Sequence, residues 1–332
     1  MTTFVDQHRS DFNYGTVGGN GSVGDILWRD QAGDNVLWLM DFTTPFLVAT
    51  LPFVTPDWHV KATANFDSGF SGINTDADIL WQNDNGALAL WKMTGTTLSA
   101  AQALGPNPGP SWHVVDDNDF NDDGGDDILF QNDNGALAMW TGINPATGAV
   151  AGMFAGTQNP GPTWHVVGTG DMDGDGKAGI LWQNDNGALA LWENPTFAVN
   201  PFTFALTFAF NTLAALPTID RSWHVKGMAD LNGDQHADIL FQNDNGAVVV
   251  WEMNGTTITA ANLADQNPGP SWHIVGLRDM DQDGHADILF QNDNGAAAVW
   301  QDYIPIAGGL AAFLALSITP NPNPNGHVWD LL

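Results

Sequence analysis

Cysteine is absent from this 332-residue chain, and basic side chains are scarce. Without cysteine the protein has no disulfide, no thiolate metal site and no thiol nucleophile. Only 8 lysines and arginines stand against 38 acidic residues, which gives a formal net charge of -30. A surface this negative repels nucleic acid and anionic lipid, and no basic patch offsets the repulsion. We therefore expect cations as partners, and neither nucleic acid binding nor membrane insertion.

Glutamate is almost absent as well. Glu193 and Glu252 are the two glutamates, and every other acidic residue is aspartate. Because aspartate favours turns and oxygen coordination over helices, we expect the acids in the loops of an all-β chain. The apolar stretch 308–318 is too short to span a membrane, and residues 1–12 lack the apolar core of a cleaved signal peptide. The lack of cysteine still favours an extracellular, secreted or cell-surface location.

What the sequence does contain is a repeat. The phrase Gln-Asn-Asp-Asn-Gly-Ala occurs at 82–87, 131–136, 183–188, 242–247 and 291–296, and a degenerate copy occupies 29–34. Each full copy follows an Ile-Leu-Trp or Ile-Leu-Phe step and precedes an apolar run that ends in tryptophan, and a Trp-His step opens each of these units. Asn-Gly between two apolar runs indicates a β-hairpin. Asn-Pro-Gly-Pro at 107–110, 159–162 and 267–270 marks the crossing to the next unit.

Four antiparallel strands repeated at intervals of about fifty residues are typical of propeller blades. The sequence therefore predicts an all-β fold, a six-bladed β-propeller of four-stranded antiparallel blades. The chain ends in Gly-His-Val-Trp at 326–329, so we expect the C-terminal strand to join the first blade and close the ring. One domain is expected over 1–332, with blades at about 11–57 plus 326–332, 58–111, 112–163, 164–222, 223–271 and 272–325.

An acidic loop lies between the first and second expected strands of each unit. Ca2+ needs several oxygen ligands, and three loops supply them at positions 1, 3, 5 and 9. These ligands are Asp119, Asn121, Asp123 and Asp127; Asp230, Asn232, Asp234 and Asp238; and Asp279, Asp281, Asp283 and Asp287. A fourth loop has Asp171, Asp173 and Asp175 but Gly179 at position 9, so its site is expected to be weaker or empty.

These loops predict about three to four structural calcium sites. Magnesium is disfavoured because it prefers fewer protein ligands and a strict octahedron. The loops at 65–78 and 11–25 are longer and glycine-rich, and whether they bind metal stays open. For any single acidic loop the alternative is an ordinary solvated turn.

The segments Asp-Met-Asp-Gly-Asp-Gly at 171–176 and Asp-Met-Asp-Gln-Asp-Gly at 279–284, each leading into an Ile-Leu strand, resemble FG-GAP/VCBS repeats. That family includes the integrin α-subunit propeller and fungal propeller lectins of the Psathyrella velutina type. The resemblance covers nearly the whole chain and implies a calcium-binding propeller. It leaves the function open, because the family serves adhesion, sugar binding and scaffolding. Six units also depart from the seven blades common in those relatives.

The identical hairpins suggest repeated ligand sites, because a hairpin by itself needs only Asn-Gly. Amide side chains can bond sugar hydroxyls, and tryptophan offers a platform for a pyranose ring. The candidate hairpin ligands are Gln82, Asn83, Asp84 and Asn85; Gln131, Asn132, Asp133 and Asn134; Gln183, Asn184, Asp185 and Asn186; Gln242, Asn243, Asp244 and Asn245; and Gln291, Asn292, Asp293 and Asn294. The candidates in the Trp-His steps are Trp58, His59, Trp112, His113, Trp164, His165, Trp223, His224, Trp272 and His273.

We expect a calcium-stabilised, multivalent lectin or adhesin whose partners are glycans or glycoconjugates. The alternative is an integrin-like scaffold without sugar specificity, bound to a cell-surface or matrix protein. Segments 197–216 and 303–318 could supply its surface, or could be lengthened outer strands. Buried tryptophans, histidines bonded within the fold and recent duplication would explain the repeats without any ligand. No enzyme is expected, because nearly every polar group recurs in each unit.

Overall fold

The computed structural model describes residues 25–41, 43–66, 76–281, 283–318 and 329–331. Within these residues the regular secondary structure consists of β-strands, which confirms the all-β expectation. No helix in the described residues is long and apolar enough to cross a membrane.

The strands follow the repeat of the sequence, and each Trp-His step begins the first strand of a unit. The first three units comprise β1 (Ile26–Asp30), β2 (Asn35–Asp41) and β3 (Thr44–Leu51); β4 (Trp58–Ala64), β5 (Asp78–Asn83), β6 (Leu88–Thr94) and β7 (Thr97–Ala103); and β8 (Trp112–Asn118), β9 (Asp127–Asn132), β10 (Leu137–Asn144) and β11 (Ala149–Gly156).

Three further units follow, of which the fourth and the sixth have longer outer strands. They comprise β12 (Trp164–Gly170), β13 (Gly179–Asn184), β14 (Leu189–Val199) and β15 (Leu206–Leu216); β16 (Trp223–Ala229), β17 (Asp238–Asn243), β18 (Val248–Asn254) and β19 (Thr257–Ala264); β20 (Trp272–Arg278), β21 (Asp287–Asn292), β22 (Ala297–Ile306) and β23 (Leu310–Ile318); and the last strand, β24 (Trp329–Leu331).

The last strand of the chain pairs with the first. Strand β24 runs antiparallel to β1, with Trp28 opposite Leu331, so the expected pairing of the C-terminal strand with the first unit is observed. The Gly-His-Val part of the expected strand, 326–328, lies outside the described residues. Arg278 of the sixth unit also donates a hydrogen bond to the Asp25 carbonyl. The two ends of the chain are therefore held together by backbone and side-chain bonds.

The sheets correct the expected architecture. Strand β11 pairs in parallel with β15, and β19 pairs in parallel with β23, so two pairs of units each merge into one eight-stranded sheet. The end strands of these sheets approach each other, β8 beside β12 and β16 beside β20, so each sheet is nearly closed. The prediction of a single six-bladed propeller of four-stranded blades is therefore wrong: the described strands form two eight-stranded and two four-stranded sheets.

The physical reason for the merged sheets is the length of two hairpins. Strands β14 and β15 are each 11 residues long, whereas β6 and β7 are each 7 residues long. The extra length carries Thr207 and Phe208 alongside Ala155 and Gly156 of the preceding unit, where unpaired backbone groups of β11 are available. Segments 197–216 and 303–318 are thus lengthened outer strands.

An aromatic pair fills the same place in every unit. The aromatic residue of the Ile-Leu-Trp/Phe step packs against the tryptophan on the next strand, with ring centroids 4.7–5.2 Å apart. Register explains the contact, because Trp81 and Trp91 are diagonal neighbours across β5 and β6. Such a pair contributes about 1 kcal/mol beyond its buried area. The repeated aromatic residues of the sequence therefore build the core between the sheets.

Buried glutamine side chains join neighbouring units. The Gln131 amide donates to the Trp164 carbonyl at 2.6 Å and accepts from the Val166 N–H at 3.1 Å. Gln82 and Gln242 make the same pair of bonds to the following unit. In the degenerate first unit Arg29 takes this place and donates to the Trp58 carbonyl. Each of these side chains therefore hydrogen-bonds to the backbone of the first strand of the following unit and so joins the two units.

Removal of one glutamine bridge should destabilise the protein. We expect Gln131→Leu to lower the free energy of unfolding by about 2 kcal/mol, because a buried carbonyl and a buried N–H lose their partner. Urea denaturation of wild type and variant measures the difference. Gln183→Leu is the matched control, since Gln183 has no such bond to the next unit in the described part of the chain. Equal losses in the two variants would contradict the bridging role.

Candidate functional site

The predicted metal loops have the geometry of a tight acidic turn. The Asp119 Oδ1 atom accepts a hydrogen bond from the Asp122 N–H at 2.7 Å, and Oδ2 accepts one from the Gly124 N–H at 2.8 Å. Asp171 and Asp230 bind their own loops in the same way. This turn folds the position-3 and position-5 side chains back toward position 1.

The carboxylates of two loops converge. Oxygen atoms of Asp171, Asp173 and Asp175 all lie within 4.8 Å of one another, and so do those of Asp279, Asp281 and Asp283. In the third unit the Asn121 Oδ1 atom is buried and has no hydrogen-bond partner, while its Nδ2 donates to Asp127 at 3.1 Å. Oxygen-only donors and an orphaned buried oxygen fit a hard cation such as Ca2+.

The position-9 carboxylates are the buried part of the site. Asp127, Asp238 and Asp287 are 0–3% exposed. Burial raises the pKa of Asp127 to about 9, and the charges of Asp123 and Asp119 add to this effect. Burial likewise raises the pKa values of Asp238 and Asp287, each to about 8. A divalent cation would favour the ionised carboxylates and lower these pKa values.

The fourth unit departs from this pattern. Gly179 begins its second strand where the other metal loops have aspartate. The Glu193 carboxylate, from the third strand, lies directly against Gly179. Glu193 is 1% exposed, and burial raises its pKa to about 9, with a further contribution from Asp173, Asp171 and Asp175. The loops at 65–78 and 11–25 fall mostly outside the described residues, because residues 67–75 and 1–24 are not among them.

The repeated hairpin phrase has a structural use at nearly every position. Beyond the glutamine bridges, the Asn132 Nδ2 donates to the Ser111 hydroxyl, and its Oδ1 accepts from the Asn134 N–H. Asn134 in turn accepts from the Ala136 N–H. Equivalent bonds recur in the hairpins that contain Asn83, Asn184, Asn243 and Asn292. The amide side chains therefore hold the turn, and most of their bonding capacity is used within the fold.

The histidines and hairpin aspartates form a row of exposed pairs. In every full unit the histidine Nε2 lies 2.8 Å from the hairpin aspartate Oδ1, and both side chains are about half exposed or more. The pairs are His59–Asp84, His113–Asp133, His165–Asp185, His224–Asp244 and His273–Asp293. The tryptophan before each histidine is partly buried at the margin of a core cluster. We call this row the hairpin edge.

An aromatic cavity lies at Trp58, the residue that precedes His59 of the first pair. It has a volume of about 320 Å3 and is lined by Trp58, Trp81 and Trp91 with Phe53, Val54, Thr55 and Ala89. Phe53 is 58% exposed, so the cavity has an aromatic rim as well as an aromatic floor. The Arg29 guanidinium lies 5.0 Å from the centre of the Trp81 ring. A concave, mostly apolar lining is typical of a small-ligand site.

A second exposed surface lies at the end of the long β14–β15 hairpin. Val199, Phe202 and Phe204 are 58%, 90% and 78% exposed. Phe204 has a positive φ of 57° in the turn that joins the two strands. These side chains form the apolar hairpin tip, which is separate from both the metal loops and the hairpin edge in sequence.

Comparison with known proteins supports the repeat family. The FG-GAP-like repeat family matches residues 230–290, which begin at the metal loop of the fifth unit and end on β21 of the sixth. The resemblance inferred from the acidic motifs is confirmed, and the repeated strands agree with a β-propeller scaffold. No curated protein sequence matches the chain.

Solved structures share only a general likeness. BBS1N in complex with ARL6DN is 12% identical with a TM-score of 0.38, covering 84% of this chain and 74% of that one. Human WBSCR16 is 12% identical with a TM-score of 0.42, covering 92% and 85%. Chaetomium thermophilum Raptor is 8% identical with a TM-score of 0.45, covering 93% of this chain and 25% of that one. With TM-scores this low, these matches do not bear on function.

Sequence reasoning missed two parts of the site. The spacing of the acidic loops does not select Glu193 as a metal ligand. It is nevertheless one of two glutamates in the chain, and the loop of its unit lacks the aspartate at position 9. Phe53, at the rim of the aromatic cavity, lies outside every repeated phrase, so the repeat gave no reason to select it.

The buried carboxylates make the metal-free protein sensitive to pH. Asp127, Asp238 and Asp287 hold their protons up to about pH 8–9 when folded, but release them near pH 3.8 when unfolded. The folded state then binds more protons, so its stability falls as the pH rises from about 5 to 8. Thermal melts in a chelator measure this slope. Asp238→Asn should reduce it by the contribution of one carboxylate, and an unchanged slope in that variant would contradict the assignment.

Proposed function

We propose that this β-propeller scaffold of FG-GAP-like repeats is stabilised by calcium in its acidic loops and binds carbohydrate at its hairpin edge. The observation that carries the carbohydrate part is the aromatic cavity lined by Trp58, Trp81 and Phe53, with His59 of the exposed His59–Asp84 pair following Trp58 in sequence. The calcium part is carried by the converging carboxylates of the loops and by the orphaned Asn121 oxygen.

Calcium would offset the charge that each loop concentrates. Asp279, Asp281 and Asp283 lie together with buried Asp287 close by in the loop, and the His285 Nδ1 atom lies 3.4 Å from an Asp283 carboxylate oxygen. Mutual repulsion and burial both oppose ionisation of such a cluster. When bound, Ca2+ supplies the compensating charge and accepts the loop oxygens as ligands. The metal is thereby structural, since folding and binding are linked.

Carbohydrate suits the hairpin edge because that edge combines flat aromatic surface with exposed polar groups. The rings of Trp58 and Phe53 could face the C–H side of a pyranose. His59 and Asp84, about half and two thirds exposed, retain capacity to bond hydroxyl groups. Four further His–Asp pairs repeat this polar arrangement, and several weak sites on one scaffold would gain affinity through avidity.

Chelation tests the calcium part of the proposal. We expect exhaustive treatment with a chelator to lower the melting temperature by at least about 5 °C, because loss of the cation leaves the loop carboxylates uncompensated. Calcium should restore the melting temperature better than magnesium at equal concentration. Differential scanning calorimetry in matched ionic strength separates this effect from screening. An identical melting curve before and after chelation would refute calcium stabilisation.

A glycan array in calcium buffer tests the carbohydrate part. We expect selective binding to one class of sugar, and Phe53→Ser should weaken that binding about fivefold by removal of an exposed stacking surface. Phe202→Ser is the matched control, because Phe202 is an exposed phenylalanine that does not line the cavity. Both variants should melt like wild type. A blank array, or equal loss in both variants, would argue against a sugar site here.

The apolar hairpin tip favours the second candidate function, a protein-binding scaffold. Phe202 and Phe204 are both exposed and are separated in sequence by Thr203 alone, on a hairpin with 11-residue strands. An exposed aromatic tip of this kind is a common feature of contact surfaces. Capture of one protein partner that Phe202→Ser abolishes and Phe53→Ser spares would favour this function over carbohydrate binding.

A further inference from the structure

The fourth unit lacks a carboxylate that the others share. In the remaining units the second strand begins with, or directly follows, an aspartate: Asp25, Asp78, Asp127, Asp238 and Asp287. All five are buried. Gly179 stands at this position in the fourth unit, yet the loop before it keeps Asp171, Asp173 and Asp175 with their oxygens within 4.8 Å of one another.

Glu193 fills the space that the missing side chain leaves. It lies one position beyond the Ile180–Trp192 pair, directly across the sheet from Gly179. A Cβ atom placed on Gly179 would overlap the Glu193 carboxylate, so the glycine is what allows the carboxylate to be there. Both carboxylate oxygens are buried without a hydrogen-bond partner. The next residue, Asn194, donates to Asp173 at 3.2 Å, which places this end of β14 against the acidic loop.

The other glutamate of the chain provides an internal comparison. Glu252 follows Trp251 as Glu193 follows Trp192, but its unit retains Asp238. The Glu252 Oε1 atom accepts hydrogen bonds from Asn262 at 2.9 Å and from the Tyr303 hydroxyl at 2.8 Å. A glutamate at this position is therefore satisfied by protein donors where aspartate is present. Where aspartate is absent, its oxygens are left for a ligand from the loop side.

We propose that Glu193 replaces the missing position-9 aspartate and completes a calcium site with Asp171, Asp173 and Asp175. The inference rests on the calcium stabilisation proposed above and extends it to the loop whose site was expected to be weaker or empty. The ligand reaches the site from the third strand instead of the second. A hard cation is the partner that satisfies four carboxylates in one place, one of them fully buried.

Calcium titration of Glu193→Gln tests this assignment, with Glu252→Gln as the matched control. Isothermal titration calorimetry should find one calcium ion fewer in Glu193→Gln, or one site weakened by about tenfold or more. Calcium should also raise the melting temperature of Glu193→Gln by less than it raises that of wild type, because the variant has lost one ligand. Glu252→Gln should bind like wild type.

A rescue variant separates a ligand from a merely buried acid. Gly179→Asp combined with Glu193→Thr copies the pair Asp127 and Thr141 of the third unit and should restore the lost site. If calcium stabilises wild type but Glu193→Gln still binds calcium normally, the role of Glu193 is overturned and the calcium proposal is retained. Absence of any calcium effect on wild type would instead overturn both this inference and the calcium proposal.

Discussion

A buried carboxylate at the start of the second strand constrains the acidic side of this molecule. Asp238 occupies that position in the fifth unit and accepts hydrogen bonds from the Leu231 and Met253 N–H groups, so it ties the acidic loop to the third strand. Three further loop carboxylates or amides lie close to it in sequence. Because burial and like charge both oppose ionisation, the loops need either protons or a cation to remain in this geometry. Any cation that binds there would therefore act on the same atoms that hold the loop in place.

On the opposite side of the repeats, side-chain hydrogen bonds hold the turns and join the units. Gln131 bridges to the next unit, Asn132 and Asn134 hold the turn, and Asp133 pairs with His113. Each member of the repeated phrase therefore has a local reason to be retained, and its recurrence alone is not a sign of a ligand. The aromatic cavity combines the repeated tryptophans Trp58, Trp81 and Trp91 of the second unit with Phe53, which lies outside the repeated phrases. A ligand site there would depend on both the repeat and this residue.

The merged sheets show how a small difference in strand length changes the architecture. Short outer hairpins such as β6–β7 end within their own unit, whereas β14–β15 extends far enough to pair with β11. Parallel pairing covers an edge that would otherwise expose backbone groups. The same extension carries Phe202 and Phe204 into solvent. Edge protection and an exposed apolar tip thus have one common cause.

By itself the sequence determined the all-β class, the four strands of each unit, the hairpin turns and the acidic loops, because strand alternation, Asn-Gly turns and aspartate spacing are local properties. The pairing of the C-terminal strand with the first unit also followed from the repeat. Tertiary structure alone decided how the units join into sheets, since parallel pairing between β11 and β15 depends on which edges meet in space. It also decided which side chain lies against Gly179. Glu193 is 14 positions away along the chain, and only the register of β13 and β14 brings its carboxylate to that glycine.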